Sequence, residues 1–152
     1  MGVELSEAEA WEFATKSHTG ILTTLRRDGM PISLPMWFAA FDGAVYLSTP
    51  ARAKKVLRIK HDPRACFLVE SGLAWRELKA VMMTGTISPV NDPEVQRRIA
   101  EHMATKYAGF GTNLGKVPDV TRKHYTSGSV TFAFRPTKFI TWDNSLIRMN
   151  ST

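Results

Sequence analysis

The chain has 152 residues, 43% of them apolar, which is the size of one globular domain with a substantial core. No apolar run approaches the roughly 18 residues of a membrane helix, the first dozen residues are acidic rather than basic then apolar, and the single cysteine, Cys66, excludes a disulfide framework, a thiol pair and a cysteine-rich zinc site. One cytoplasmic domain spanning 1–152 with no membrane association is expected, and its formal charge of +6 favours phosphorylated or polyanionic partners.

Ser6 followed by Glu9 reads as a capping box, and Ala8, Trp11 and Ala14 share one side of the segment that runs to about Lys16, so a short helix opens the chain. Two β-rich runs follow, Thr19 to Arg27 and Pro31 to Phe41, separated by Asp28-Gly29; this is the strongest hairpin signal present. A second Asp-Gly turn at Asp42-Gly43 leads into Ala44 to Ser48, so a three-stranded meander is predicted. Thr49-Pro50 then supplies a cap hydroxyl and a proline at a helix start, and Ala53, Val56, Leu57 and Lys60 recur at helical spacing as far as Asp62-Pro63, which predicts about three turns.

Arg64 to Glu70 and Glu77 to Ser88 read as strands, with Gly85 as a bulge or close-approach point. Asn91-Asp92-Pro93-Glu94 starts a helix to about Tyr107, and the glycine-rich residues 110–118 read as a mobile loop over a site. Val130, Phe132 and Phe134 alternate as one strand, and after Pro136 the segment Phe139 to Trp142 makes a last one. Six to seven antiparallel strands with about three helices point to a mainly β fold, an antiparallel barrel whose closure removes exposed edges.

Charge is concentrated where the third strand hands over to the second helix. Arg52 to Arg64 contains Arg52, Lys54, Lys55, Arg58, Lys60 and Arg64 against Asp62 alone. Lys54 and Arg58 are four apart and Arg52 and Lys55 three apart, so each pair shares a helix face. Helix-start N–H groups, the hydroxyls of Ser48 and Thr49 and these cations together suit a phosphate; the competing reading is a solvated basic face. His18, His61, His102 and His124 are scattered without metal-ligand spacing, and no Gly-x-Ser-x-Gly elbow occurs, so neither a metal centre nor a protein nucleophile is expected.

The order and spacing of Asp28-Gly29-Met30-Pro31, Leu34-Pro35-Met36-Trp37-Phe38, Asp42-Gly43-Ala44-Val45-Tyr46-Leu47-Ser48-Thr49, Ala53-Lys54-Lys55, Asp62-Pro63-Arg64-Ala65, Lys79-Ala80-Val81 and Ile140-Thr141-Trp142-Asp143-Asn144 resemble the pyridoxamine 5′-phosphate oxidase-like split barrels, and most closely the actinobacterial flavin/deazaflavin oxidoreductases. The resemblance implies an FMN-binding-type split barrel and a homodimer with a cofactor site at each subunit interface. It maps the cofactor phosphate onto Lys55, with Lys54 and Arg58 nearby, and the ring system onto Pro35, Met36, Trp37 and Phe38. Arg58 departs from the asparagine that relatives usually carry one turn after the lysine. For Trp37 and Phe38, ring contact competes with burial in the core or a dimer interface; for Lys79, reaching the ring edge or cofactor tail from the partner competes with simple exposure.

The implied chemistry is hydride transfer from reduced deazaflavin coenzyme F-420, or from FMN, to a small conjugated or tetrapyrrole-like acceptor. The deazaflavin is favoured because its phosphodiester and polyglutamate tail match charge beyond one phosphate's need. A non-catalytic flavin, deazaflavin or haem carrier is the alternative. Nucleic-acid binding is disfavoured, since no aromatics interleave with the basic stretch.

Overall fold

The computed structural model describes residues 3–150. Helix α1 (Glu7–Lys16) starts at the capping box: the Glu9 N–H donates to Ser6 Oγ at 3.2 Å and the Ser6 N–H to Glu9 Oε1 at 3.1 Å, while Ala10 and Ala14 are buried beneath it. The strands are β1 (Gly20–Leu25), β2 (Pro31–Met36), β3 (Ala39–Phe41), β4 (Ala44–Pro50), β5 (Arg64–Ser71), β6 (Lys79–Pro89) and β7 (Ser129–Asp143). The remaining α-helices are α2 (Lys54–His61), α3 (Pro93–Lys106) and α4 (Asp119–Thr126). All seven strands form one antiparallel sheet in the order β2-β1-β5-β6-β7-β4-β3, the mainly β architecture that the sequence predicts.

Both Asp-Gly turns form. Gly29 has φ 84°, and Asp42 and Gly43 take φ 52° and 71°, the left-handed pair that a tight hairpin needs. The meander does not form, because the predicted strand Pro31 to Phe41 is two strands that occupy opposite edges of the sheet. Only Trp37 and Phe38 separate Met36 from Ala39. Three Cα–Cα steps span at most about 11 Å, whereas the edges of a flat seven-stranded sheet would stand roughly 29 Å apart. The sheet therefore curls until its edges meet, and the barrel is split between β2 and β3.

Three further differences have local causes. Thr49 and Pro50 remain in β4, paired with Val130 and Ser129, so the expected Thr-Pro helix start is not used; α2 begins later, after Ala53, with no side-chain cap, and is eight residues long. The two predicted C-terminal strands are one continuous β7, which passes through Pro136 because the register slips where Gly85 lies opposite it. A Cβ on Gly85 would sit 2.1 Å from the Arg135 carbonyl oxygen, so the close approach expected there is real. A fourth helix, α4, follows Pro118, and residues 110–118 contain a 3-10 turn, Leu114–Lys116, in which the Asn113 side chain accepts from the Gly115 N–H.

The barrel interior is filled by Phe38, Phe67, Phe132, Phe134, Leu47 and Met83, onto which α2 lowers Val56 and Ile59. A second cluster, centred on Tyr46, Ala133 and Ile99, joins α3 to the β3–β4 hairpin. Among the described residues no helix is long and apolar enough to cross a membrane.

Candidate functional site

Helix α2 is strongly two-faced. Val56 and Ile59 point into the core, and the intervening positions place cations along the rim. Lys55 Nζ donates to Thr49 Oγ1 of β4 at 3.1 Å, and Arg58 Nε donates to Thr24 Oγ1 of β1 at 3.0 Å. Both threonines are buried, so α2 is tied to two strands through its cations. Burial, and secondarily the neighbouring Arg58 guanidinium, push the Lys55 ammonium below its ordinary pKa. Ser48 Oγ lies 3.1 Å from Thr131 Oγ1 at the surface, and Lys54 is exposed at the helix start.

The outer turns of α2 face the β1–β2 turn across a cleft of about 710 Å³ lined by Arg26, Arg27, Leu57, Arg58, Lys60 and His61. Arg26 is paired with Asp28 at 3.1 Å. Among the described residues, none of Arg27, Lys54, Lys55, Arg58 and Lys60 is paired with a carboxylate. Around this cleft Arg27, Arg58 and Lys60 offer unneutralised guanidinium and ammonium groups, and the partly desolvated Lys55 ammonium lies beside Arg58 on α2 with its Nζ on Thr49; together they are the donor set that a phosphate or an oligo-anion requires. Sequence reasoning found the α2 wall but missed Arg26 and Arg27. They sit at a hairpin tip far away in sequence, and only the curl of β1 brings them opposite α2.

The other predicted residues lie elsewhere in the chain. Pro35 pairs with Ile21 and Met36 with Gly20 on edge strand β2, where a missing N–H is tolerated. Met36 is thus four β1 residues from the Thr24 level, about 13 Å at strand rise. Trp37 is 38% exposed and stacks on Tyr107, with ring centroids 4.2 Å apart, while His18 meets both rings edge-on.

Phe38 is fully buried and packs edge-on against Phe67, so for this side chain the core reading applies rather than ring contact. Its backbone is also occupied: the N–H donates to Tyr107 Oη at 2.9 Å, and the carbonyl accepts from Lys106 Nζ at 3.2 Å. Lys79 pairs with Asp143 at 3.6 Å. It stands at the opposite end of β6 from Thr86, the residue facing Arg64, roughly 23 Å away at strand rise. One chain therefore brings Thr49, Lys55 and Arg58 together at α2, with Lys54 exposed at its start, but leaves Ser48, whose hydroxyl meets Thr131 on the other face of β4, and Pro35 to Phe38 and Lys79 outside that cluster.

The outward face of the sheet carries a register row that crosses five strands: Pro35, Ile21, Leu68, Met82 and Ile140. These side chains are half-buried or exposed in the single chain. The four histidines do not converge, and among the described residues no group of His, Cys, Asp or Glu could hold a metal.

A family model described as pyridoxamine 5′-phosphate oxidase matches residues 6–143. No curated protein matches the sequence. Among solved structures, a conserved hypothetical protein from Mycobacterium tuberculosis is similar at 29% identity and a TM-score of 0.78, with 99% of this chain and 94% of that one covered. A FAD-binding protein from Mesorhizobium loti shares the fold at 19% identity and a TM-score of 0.69, covering 90% and 92%. An F420 reductase does so at 22% identity and 0.62, covering 85% and 94%. Haem-binding proteins also occur among the structures of similar fold.

Proposed function

The chain belongs to the pyridoxamine 5′-phosphate oxidase family, and from that membership we propose that it is an oxidoreductase that binds a flavin-type cofactor, with reduced deazaflavin coenzyme F-420 favoured over FMN. The observation that carries this reading is the cationic cleft between α2 and the β1–β2 turn, where Arg26 is paired with Asp28 but Arg27, Arg58 and Lys60 have no carboxylate partner among the described residues. Lys55, held half-buried on Thr49, and Arg58, held on Thr24, would grip the phosphate. Arg27 and Lys60 on the two walls of the cleft extend the field beyond one phosphate, which suits a tail of further anions better than the monophosphate of FMN.

The cofactor, when bound, supplies hydride transfer to a small conjugated or tetrapyrrole-like acceptor. The protein's share is to bind, orient and exclude water. Since Pro35 to Phe38 and Lys79 lie away from α2 within one chain, the full site in this reading needs a second copy. The apolar row Pro35, Ile21, Leu68, Met82 and Ile140 is the surface through which a two-fold homodimer would form. A two-fold axis through that row would bring one protomer's Lys79 end towards the other's α2 end.

Absorbance and fluorescence titrations of the purified protein with each cofactor test the assignment. Micromolar FMN binding with no affinity for the deazaflavin would reverse the choice of cofactor. Multiple-turnover oxidation of the reduced cofactor by quinones, enones, nitro compounds or tetrapyrroles is expected. Stoichiometric binding without turnover across that panel would make the protein a carrier, and a Soret band in the purified protein would make it a haem binder.

A further inference from the structure

Lys106 stands apart from the cationic cleft. It is the last residue of α3, and its Nζ lies 3.5 Å from the Phe38 ring centroid and 5.3 Å from that of Tyr107, while donating to the Phe38 carbonyl. Among the described residues no carboxylate pairs with it. Burial pushes its pKa down to about 8.

Beside this amine a cleft of about 430 Å³ opens between α1, β3 and α3. Ala39 and Ala40 contribute small apolar side chains from β3, and α3 contributes Glu101, His102 and Thr105. Helix α1 adds only Thr15, so the titratable groups around Lys106 are Glu101 and His102 of its own helix, which line the same cleft, and Tyr107, whose ring lies 5.3 Å from Nζ. His102 Nδ1 lies 2.9 Å from the Arg98 carbonyl, which can only accept, so Nδ1 is the donor in that contact and Nε2 takes no part in it.

We propose that this cleft is a covalent site for small aldehydes and ketones, with Lys106 as the nucleophile that forms an imine. The lone pair of the neutral amine attacks the carbonyl carbon, a C–N bond forms, and the π pair moves to oxygen. One amine proton is transferred to that oxygen, giving a carbinolamine. The C–O bond then breaks, the oxygen leaves as water with the second amine proton, and a C=N bond remains. Nothing is oxidised or reduced. His102 and Glu101, which line the cleft, and solvent water are the groups available to relay the proton.

Two features favour this chemistry over a purely structural brace. An exposed lysine is almost wholly charged and unreactive at neutral pH, whereas one with a pKa near 8 is neutral in roughly one molecule in ten. The alanine floor leaves room for an apolar body next to the amine.

The test uses the full chain, benzaldehyde as the probe and cyanoborohydride at pH 7, followed by peptide mass mapping. Benzaldehyde carries no anion, so the cationic cleft does not recruit it, and the result is independent of the cofactor assignment. Lys106 is expected to be benzylated at least tenfold faster than exposed Lys54 and Lys60, at a rate that saturates with benzaldehyde concentration. Ala40→Leu, checked for folding by circular dichroism, fills the floor without touching the amine and should remove most of the excess. Equal labelling of the three lysines, a rate that rises linearly without saturating, or an excess that persists in folded Ala40→Leu would overturn the proposal.

Discussion

Replacing Lys55 distinguishes a built anion clamp from a lysine that happens to sit on a helix. In the free protein its Nζ is half-buried, touches the Thr49 hydroxyl at 3.1 Å and has Arg58 as its charged neighbour, so part of the dehydration that binding demands is already complete. A phosphate oxygen near 4 Å would gain about 4 kcal/mol of Coulomb energy at an effective dielectric constant of about 20. Most of that is offset by dehydration of the anion, and hydrogen bonds to charged groups are worth about 1.5–3 kcal/mol net. Lys55→Ala should therefore weaken cofactor binding by about 2 kcal/mol, roughly 30-fold in Kd.

Alanine also leaves the buried Thr49 hydroxyl without its donor, so Lys55→Gln, whose amide can still donate to Thr49, is the companion variant. The assay is a fluorescence titration with F-420 and with FMN at fixed ionic strength, alongside thermal unfolding. The pH dependence has a definite sign. Burial lowers the Lys55 pKa in the free protein, and a bound phosphate raises it again. The contribution of Lys55 to affinity is therefore complete below its free-protein pKa and fades as the pH rises through its pKa in the complex. An unchanged Kd in both folded variants would refute the clamp.

Gly85→Ala forces a methyl group against the Arg135 carbonyl and should destabilise the chain by about 3 kcal/mol, read as a lower urea midpoint; an unchanged midpoint would mean that the β6–β7 bulge yields. Tyr107→Phe deprives the buried Phe38 N–H of its acceptor and should cost about 2 kcal/mol in the same measurement. Met82→Glu places a charge in the middle of the outer apolar row and should leave the barrel folded, give a monomer in sedimentation and weaken cofactor binding. A charged variant that remains dimeric would move the interface elsewhere.

The residues that were legible in the sequence are those whose signal is local. Asp28-Gly29 and Asp42-Gly43 marked two hairpins because few other pairs accept the left-handed backbone found at Gly29, Asp42 and Gly43. Asp92 and Pro93 marked the start of α3, and alternation through Val130, Phe132 and Phe134 marked the inward face of β7. Pro31 to Phe41 read as one strand because nothing local shows that Trp37 and Phe38 pass from one sheet edge to the other. Thr49-Pro50 read as a helix start because cap chemistry is visible in sequence, whereas the competing pairs with Val130 and Ser129 lie some eighty residues away. For the site, the basic stretch was visible. That Lys55 and Arg58 bend back onto Thr49 and Thr24, and that Arg26 and Arg27 form the facing wall, depends on barrel curvature, which no window of sequence contains.

The strand order also bears on how the protein is made. Val45 of β4 faces Phe134 of β7, so the β3–β4 hairpin leaves the ribosome about 90 residues before its neighbour, an interval of roughly 5 to 20 seconds at ordinary rates of translation. Throughout that time Val45 and Leu47, which end in the core, belong to a strand with one open ladder. Nascent chains of this topology thus carry an unpaired, aggregation-prone strand edge until the last strand is synthesised.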